Sequence, residues 1–169
     1  MAVPQRIKAS GAVAQAAQFS GLLPVAALPR LRDSLAREGE AVEVSLKAGQ
    51  SFGRSSLQGT LRGSLSLQCR RCDRIYAWPL DVRLDLRLVE NEDEERALLE
   101  EADPYWVRDD QLPLHELVED EVLLALPMLP RCPTCETIVR ETPPPQGSEV
   151  SERRENPFAA LKERFKQDQ

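Results

Sequence analysis

Hydrophobic and polar residues alternate most cleanly over residues 76–88. Tyr76, Trp78, Leu80, Val82, Leu84, Leu86 and Leu88 occupy every second position, with Asp81, Arg83, Asp85 and Arg87 between them. A period of two predicts a strand with one buried face. Upstream, Leu57, Leu61, Leu65 and Leu67 point one way, with Gln58, Arg62, Ser64 and Ser66 on the other face. The two runs read as a long antiparallel hairpin with its tip at residues 69–75. Pro79 has no N–H to donate, so its part of the strand belongs at a sheet edge or a bulge. Residues 41–47 alternate as well and predict another strand, followed by a turn marked by Gly49 and Gly53.

Two stretches carry a helical period instead. Residues 22–38 place Leu28, Leu31 and Leu35 at helical spacing, with Pro24 or Pro29 near a first turn and Gly39 as a stop. Residues 112–126 predict a second helix, ended by Pro127. At 100° per residue, Leu114, Leu117, Val118, Val122 and Ala125 share one face, and Glu116, Glu119 and Asp120 lie opposite. Glu121 falls inside the apolar arc. A carboxylate there needs a partner, usually Arg, unless its head group reaches water. Leu123 falls on the acidic face.

The remaining segments are less regular. Residues 90–103 form an acidic run, read as a solvated loop or a short exposed helix. Tyr105-Trp106-Val107 is a short strand or a packing anchor. Residues 140–155 lack hydrophobic periodicity and predict a disordered linker. Beyond it, residues 156–169 predict a short amphipathic tail helix. Asn156 can cap it, Pro157 suits its first position, and Phe158, Leu161 and Phe165 share a face for docking on this domain or on a partner. The expected fold class is α+β: one domain over residues 1–139, an antiparallel sheet with a long hairpin, and one acidic helix packed on it.

Charge divides the chain. Residues 1–89 carry 13 Lys/Arg against 7 Asp/Glu, whereas residues 90–121 carry 2 against 14. The net charge of −6 argues against indiscriminate coating of nucleic acid. No run approaches the apolar length of a membrane span, and residues 1–19 lack the apolar stretch of a signal peptide. The expectation is a cytoplasmic protein with no membrane partner.

All four cysteines fall in two Cys-x-x-Cys pairs, Cys69-Arg70-Arg71-Cys72 and Cys132-Pro133-Thr134-Cys135. In a reducing compartment such pairs bind metal or do redox chemistry. Thiolates two residues apart can face a single ion, and zinc takes four of them as a tetrahedron. The expected cofactor is a structural Zn2+ that joins the hairpin tip to the segment after the acidic helix. A dithiol redox site is the alternative. Neither pair opens a predicted helix, where thiolates are activated, and this weighs against redox chemistry.

Arg70, Arg71 and Arg74 crowd the first pair, and Arg131 adjoins the second. Gathered by zinc, they make a cationic knob suited to phosphate contacts on RNA; taken singly, they are solubilising turn residues. Tyr76 and Trp78 could stack on bases, but their place on the apolar face favours core packing. Evidence for an enzyme is poor. His115 is the only histidine, and a four-thiolate zinc leaves no coordination position for a small-molecule substrate.

Three blocks, in order, resemble the bacterial YceD family of large ribosomal RNA subunit accumulation proteins. They are Leu67-Gln68-Cys69-Arg70-Arg71-Cys72, the run from Leu117 to Pro127 (LVEDEVLLALP), and Asn156-Pro157-Phe158-Ala159-Ala160-Leu161. The resemblance implies a non-enzymatic role in accumulation of 23S ribosomal RNA, and so in assembly of the large subunit. Its expected partners are 23S rRNA or its precursor and a large-subunit ribosomal protein. Glu116, Glu119, Asp120 and Glu121 are the candidate contacts to a basic protein. The competing classes are a protein-only adaptor, working through the acidic helix, and a thiol redox enzyme.

Overall fold

The computed structural model describes residues 3–98 and 102–141, with side chains up to Thr137. The chain divides into Met1–Glu136 and Thr137–Gln169. The sheet, the long helix and all four cysteines belong to the first unit.

The predicted hairpin is the spine of the fold. Strand β4, Arg54–Gln68, pairs antiparallel with β5, Ile75–Val89, from Ser56↔Arg87 to Gln68↔Ile75. Strand β3, Ala41–Ser51, pairs with the other side of β4. The β3–β4 turn is Phe52-Gly53, both at positive φ, a two-residue connection whose twist matches the strands. Gly59 faces Leu46 across this pair. A Cβ there would sit 2.1 Å from the Ser45 carbonyl oxygen, so the strands meet over a bare backbone.

Strand β2, Gln18–Pro24, pairs with β3 and forms one edge of the sheet. This overturns the helix expected over residues 22–38. Exposure alternates at every position of Gln18–Pro24, with Leu23 buried and Leu22 pointing to solvent, and this period of two along the whole segment is that of a strand. A single 3-10 turn, Val25–Ala27, and a one-turn helix α2, Pro29–Arg32, follow. Leu28 and Leu31 are buried as their spacing predicts. The other edge is β6, Asp103–Trp106, which runs parallel to the end of β5 from Leu86↔Asp103 to Val89↔Trp106. At Pro79, β5 has no outer neighbouring strand among the described residues, so this proline sits on an edge there.

The sheet buries one face. Val42, Val44, Leu46, Leu57, Leu61, Leu65, Leu80, Leu84 and Leu86 form the core with the 12-residue helix α4, Leu114–Ala125. Leu114, Leu117, Val118 and Val122 of α4 are buried as expected, and Leu126 turns extended ahead of Pro127. Helix α1, Ala9–Ala14, packs on β3 and has no counterpart in the sequence reading. A two-residue pairing joins β1, Ile7–Lys8, to β7, Gln111–Leu112. The acidic run forms helix α3, Glu92–Arg96, whose Asn91 side chain accepts the Glu94 N–H at its start. Helix α5, Pro133–Glu141, completes the described elements. The linker expected at 140–155 lies outside the described residues apart from 140 and 141, which continue α5. The tail helix with Phe158, Leu161 and Phe165 lies wholly outside them.

Candidate metal centre

The first cysteine pair is built by the hairpin turn. The Cys69 N–H donates to the Arg74 carbonyl at 2.9 Å and closes the ladder. Asp73 takes a positive φ, and its N–H returns to the Cys69 carbonyl at 2.9 Å. The second pair arrives from the end of α4 through Pro127–Pro130. The Arg70 N–H donates to the Pro130 carbonyl at 2.9 Å, which pins this segment to the tip.

The four sulfurs lie within 4.8 Å of one another, and the Cys72 and Cys132 Sγ atoms are 3.7 Å apart. A tetrahedron of zinc–sulfur bonds of about 2.3 Å has edges of about 3.8 Å, so the cage is the right size. A disulfide needs about 2.05 Å, and all four cysteines are free. Cys69, Cys132 and Cys135 are buried, Cys72 is exposed, and Tyr76 packs against the group. The donor set fits a soft or borderline divalent ion held on four sides.

Backbone donors prepare the cage for negative charge. The Cys132 N–H, helped by the Arg71 and Cys72 N–H groups, lowers the Cys69 thiol to about 6 against burial. Cys135 goes the other way. Burial, and then hydrogen bonds to Cys72, Cys132 and Cys69, raise it to about 12. Crowded thiols resist successive ionisation, and a bound dication removes that resistance.

The structure corrects one argument against redox chemistry. Cys132 directly precedes α5 and Cys135 lies in its first turn, so the second pair does open a helix. Pro133, at the first helical position, carried that signal in the sequence.

Arg70, Arg71 and Arg74 are exposed around the cage, and Arg131 is half-buried beside it. None of the four makes an ion pair among the described residues. Trp78 packs against the core and Tyr76 against the cysteines, in line with the packing reading of both.

The acidic helix departs from expectation at two residues. Glu119 is not on the solvent face but only 3% exposed. Its carboxylate accepts the Arg30 and Leu31 N–H groups at 2.7 and 3.1 Å and the Arg30 guanidinium at 3.0 Å. The Arg partner expected for a buried carboxylate exists, but it serves Glu119 rather than Glu121. Arg30 also reaches Asp120 at 2.7 Å. Glu121 is half-buried, and its carboxyl is raised by burial and then by Asp103 and Asp120. Leu123 packs on the core, whereas Leu124 is 80% exposed. Glu116 is exposed and pairs with Arg6 at 3.6 Å. His115 is half-buried, with its Nε2 3.1 Å from the Val3 carbonyl oxygen.

A family model described as "Large ribosomal RNA subunit accumulation protein YceD" matches residues 57–163. The chain belongs to the YceD family. The YceD match spans the hairpin, both cysteine pairs and α4, and leaves β1 to β3 outside it. No solved structure matches the chain. Among the described residues, no helix is long and apolar enough to cross a membrane.

Proposed function

We propose that this protein is a non-enzymatic, cytoplasmic factor that supports accumulation of 23S rRNA during large-subunit assembly, and that it contacts the RNA through its cysteine tip. Zinc on Cys69, Cys72, Cys132 and Cys135 fixes the tip, and Arg70, Arg71, Arg74 and Arg131 meet phosphates. One observation carries this reading: four arginines that make no ion pair among the described residues lie around a four-sulfur cage. The family description supplies the RNA. Guanidinium forks suit phosphate oxygens, and the acidic remainder of the chain confines binding to the tip.

The test is RNA association of the double variant Arg70→Glu with Arg71→Glu. We expect binding of a 23S fragment to weaken about tenfold or more at low salt, with the thermal midpoint unchanged. Equal binding by the variant removes the tip from the RNA contact.

The second reading, a dithiol oxidoreductase, draws on Cys132 opening α5 and on the low value of Cys69. Metal content separates the two. Zinc near one per chain, with thiols unreactive until chelation, supports the structural cage; a metal-free protein that cycles between dithiol and disulfide supports the enzyme.

A further inference from the structure

The far end of the hairpin carries a second surface of opposite character. Strand β5 is 15 residues long, so Val89 lies roughly 45–50 Å from the cysteine tip. There Val89 pairs with Trp106 of β6. A cleft of about 600 Å3 opens beside it, walled by Pro104, Tyr105, Trp106 and Pro113, with Arg6, Arg108, Gln111 and Glu116 completing the lining. Trp106 is 37% exposed, and its Nε1–H donates to Glu95 Oε1 at 2.8 Å, which fixes the indole in place.

The charge around this aromatic wall is negative. Of the two arginines, Arg6 is already paired with Glu116. Arg108 is followed by Asp109 and Asp110. Glu95 sits on the indole, Asp103 begins β6, and Asp120, itself paired with Arg30, and Glu121 lie one turn along α4 from Glu116, so carboxylates still outnumber cations here. Tyr105 senses this field: its phenol is raised by burial first and then by Asp120, Glu116 and Glu121. An aromatic face among carboxylates attracts cations and repels phosphates. Strand β6 is also the last strand of the sheet among the described residues, and none of these adds a strand to its outer side.

We propose that this cleft binds an extended, lysine- and arginine-rich segment of another protein, with one cationic side chain over Trp106 and the carboxylates around β6 as the opposing charge. The segment lies along β6, as peptides added to sheet edges do. The site is remote from the RNA-contacting tip and does not depend on it.

The experiment is calorimetric titration of the full chain, at low salt, with a synthetic peptide of alternating lysine and serine. We expect saturable binding of one peptide per chain. Trp106→Ala should weaken it about tenfold, while Trp106→Phe, which keeps an aromatic face, retains most of it. Arg108→Glu should tighten it severalfold by removing a rim cation that makes no ion pair among the described residues. Arg70→Glu with Arg71→Glu should leave it unchanged, so failure of the RNA reading and failure of this one are distinguishable. Trp106→Ala binding as tightly as the unsubstituted chain overturns the proposal. So does a weaker Arg108→Glu complex, or Trp106-dependent binding of oligouridine in place of the peptide.

Discussion

The two ends of the β4–β5 hairpin are held by different physics. At the Trp106 end the sheet is backed by Leu84, Leu86 and Leu88, with α1 and α4 contributing to the same core. At the cysteine end the cluster formed by the described residues is Cys69, Cys132 and Cys135 with Tyr76 beside it. Too little apolar surface is buried there to order a turn and an incoming loop, because small clusters cannot offset the chain entropy they fix. A covalently anchored ion can. The difference teaches where each end looks for its order: on the proposed zinc reading the tip and its arginines would rest on coordination by the four sulfurs, whereas the rest of the domain rests on burial.

Metal removal is the severest way to break this comparison. Apparent binding energies of structural zinc run to roughly 10–16 kcal/mol, more than any single contact in the core provides. Chelation, or Cys69→Ser, should erase amide protection over residues 69–74 and 128–135 while β3 and the middle of β4 stay protected. Protection lost evenly across the sheet would show that both ends depend on the cage.

The next effect is that of Glu119, which belongs to the burial-dependent part. Its carboxylate satisfies two backbone donors where α2 begins. Glu119→Ala should cost about 3 kcal/mol in a denaturant titration of the metal-loaded protein, with metal content unchanged. A loss below about 1 kcal/mol would mean that water replaces the carboxylate without penalty.

Glu121 gives the smallest effect and a signed one. A carboxyl raised in the folded state loses stability as pH climbs from the ordinary glutamate value through the raised one. Glu121→Gln should therefore raise the thermal midpoint slightly at pH 7, and the gain should vanish below about pH 4. A gain that persists in acid would point to packing rather than charge.

The hairpin and α4 were legible in the sequence because each buries one face, and burial imposes a period. Both cysteine pairs were legible because their spacing is itself the chemistry. Residues 22–38 were misread because Leu28, Leu31 and Leu35 mimic a helical stripe, while the pairing of β2 with β3 leaves no local mark. Tyr105-Trp106, expected as a short strand or a packing anchor, does fall in strand β6, but its parallel register comes from a distant strand and leaves no local mark. Glu119 and Glu121 show the limit of a helical wheel. Glu119 took the Arg partner expected for Glu121, which sits half-buried two positions on, because that partner, Arg30, lies 89 residues away in sequence.

The cage also sets a timetable. Cys72 leaves the translation machinery well before Cys135, and at roughly 5–20 residues per second the gap lasts on the order of 3–13 s. Through that interval the first pair can offer only two of four ligands. The hairpin and α4 must both be made before the last two sulfurs reach it. On the proposed reading the arginine tip waits for Cys135 before it takes its working form, and a nascent chain cannot present it early.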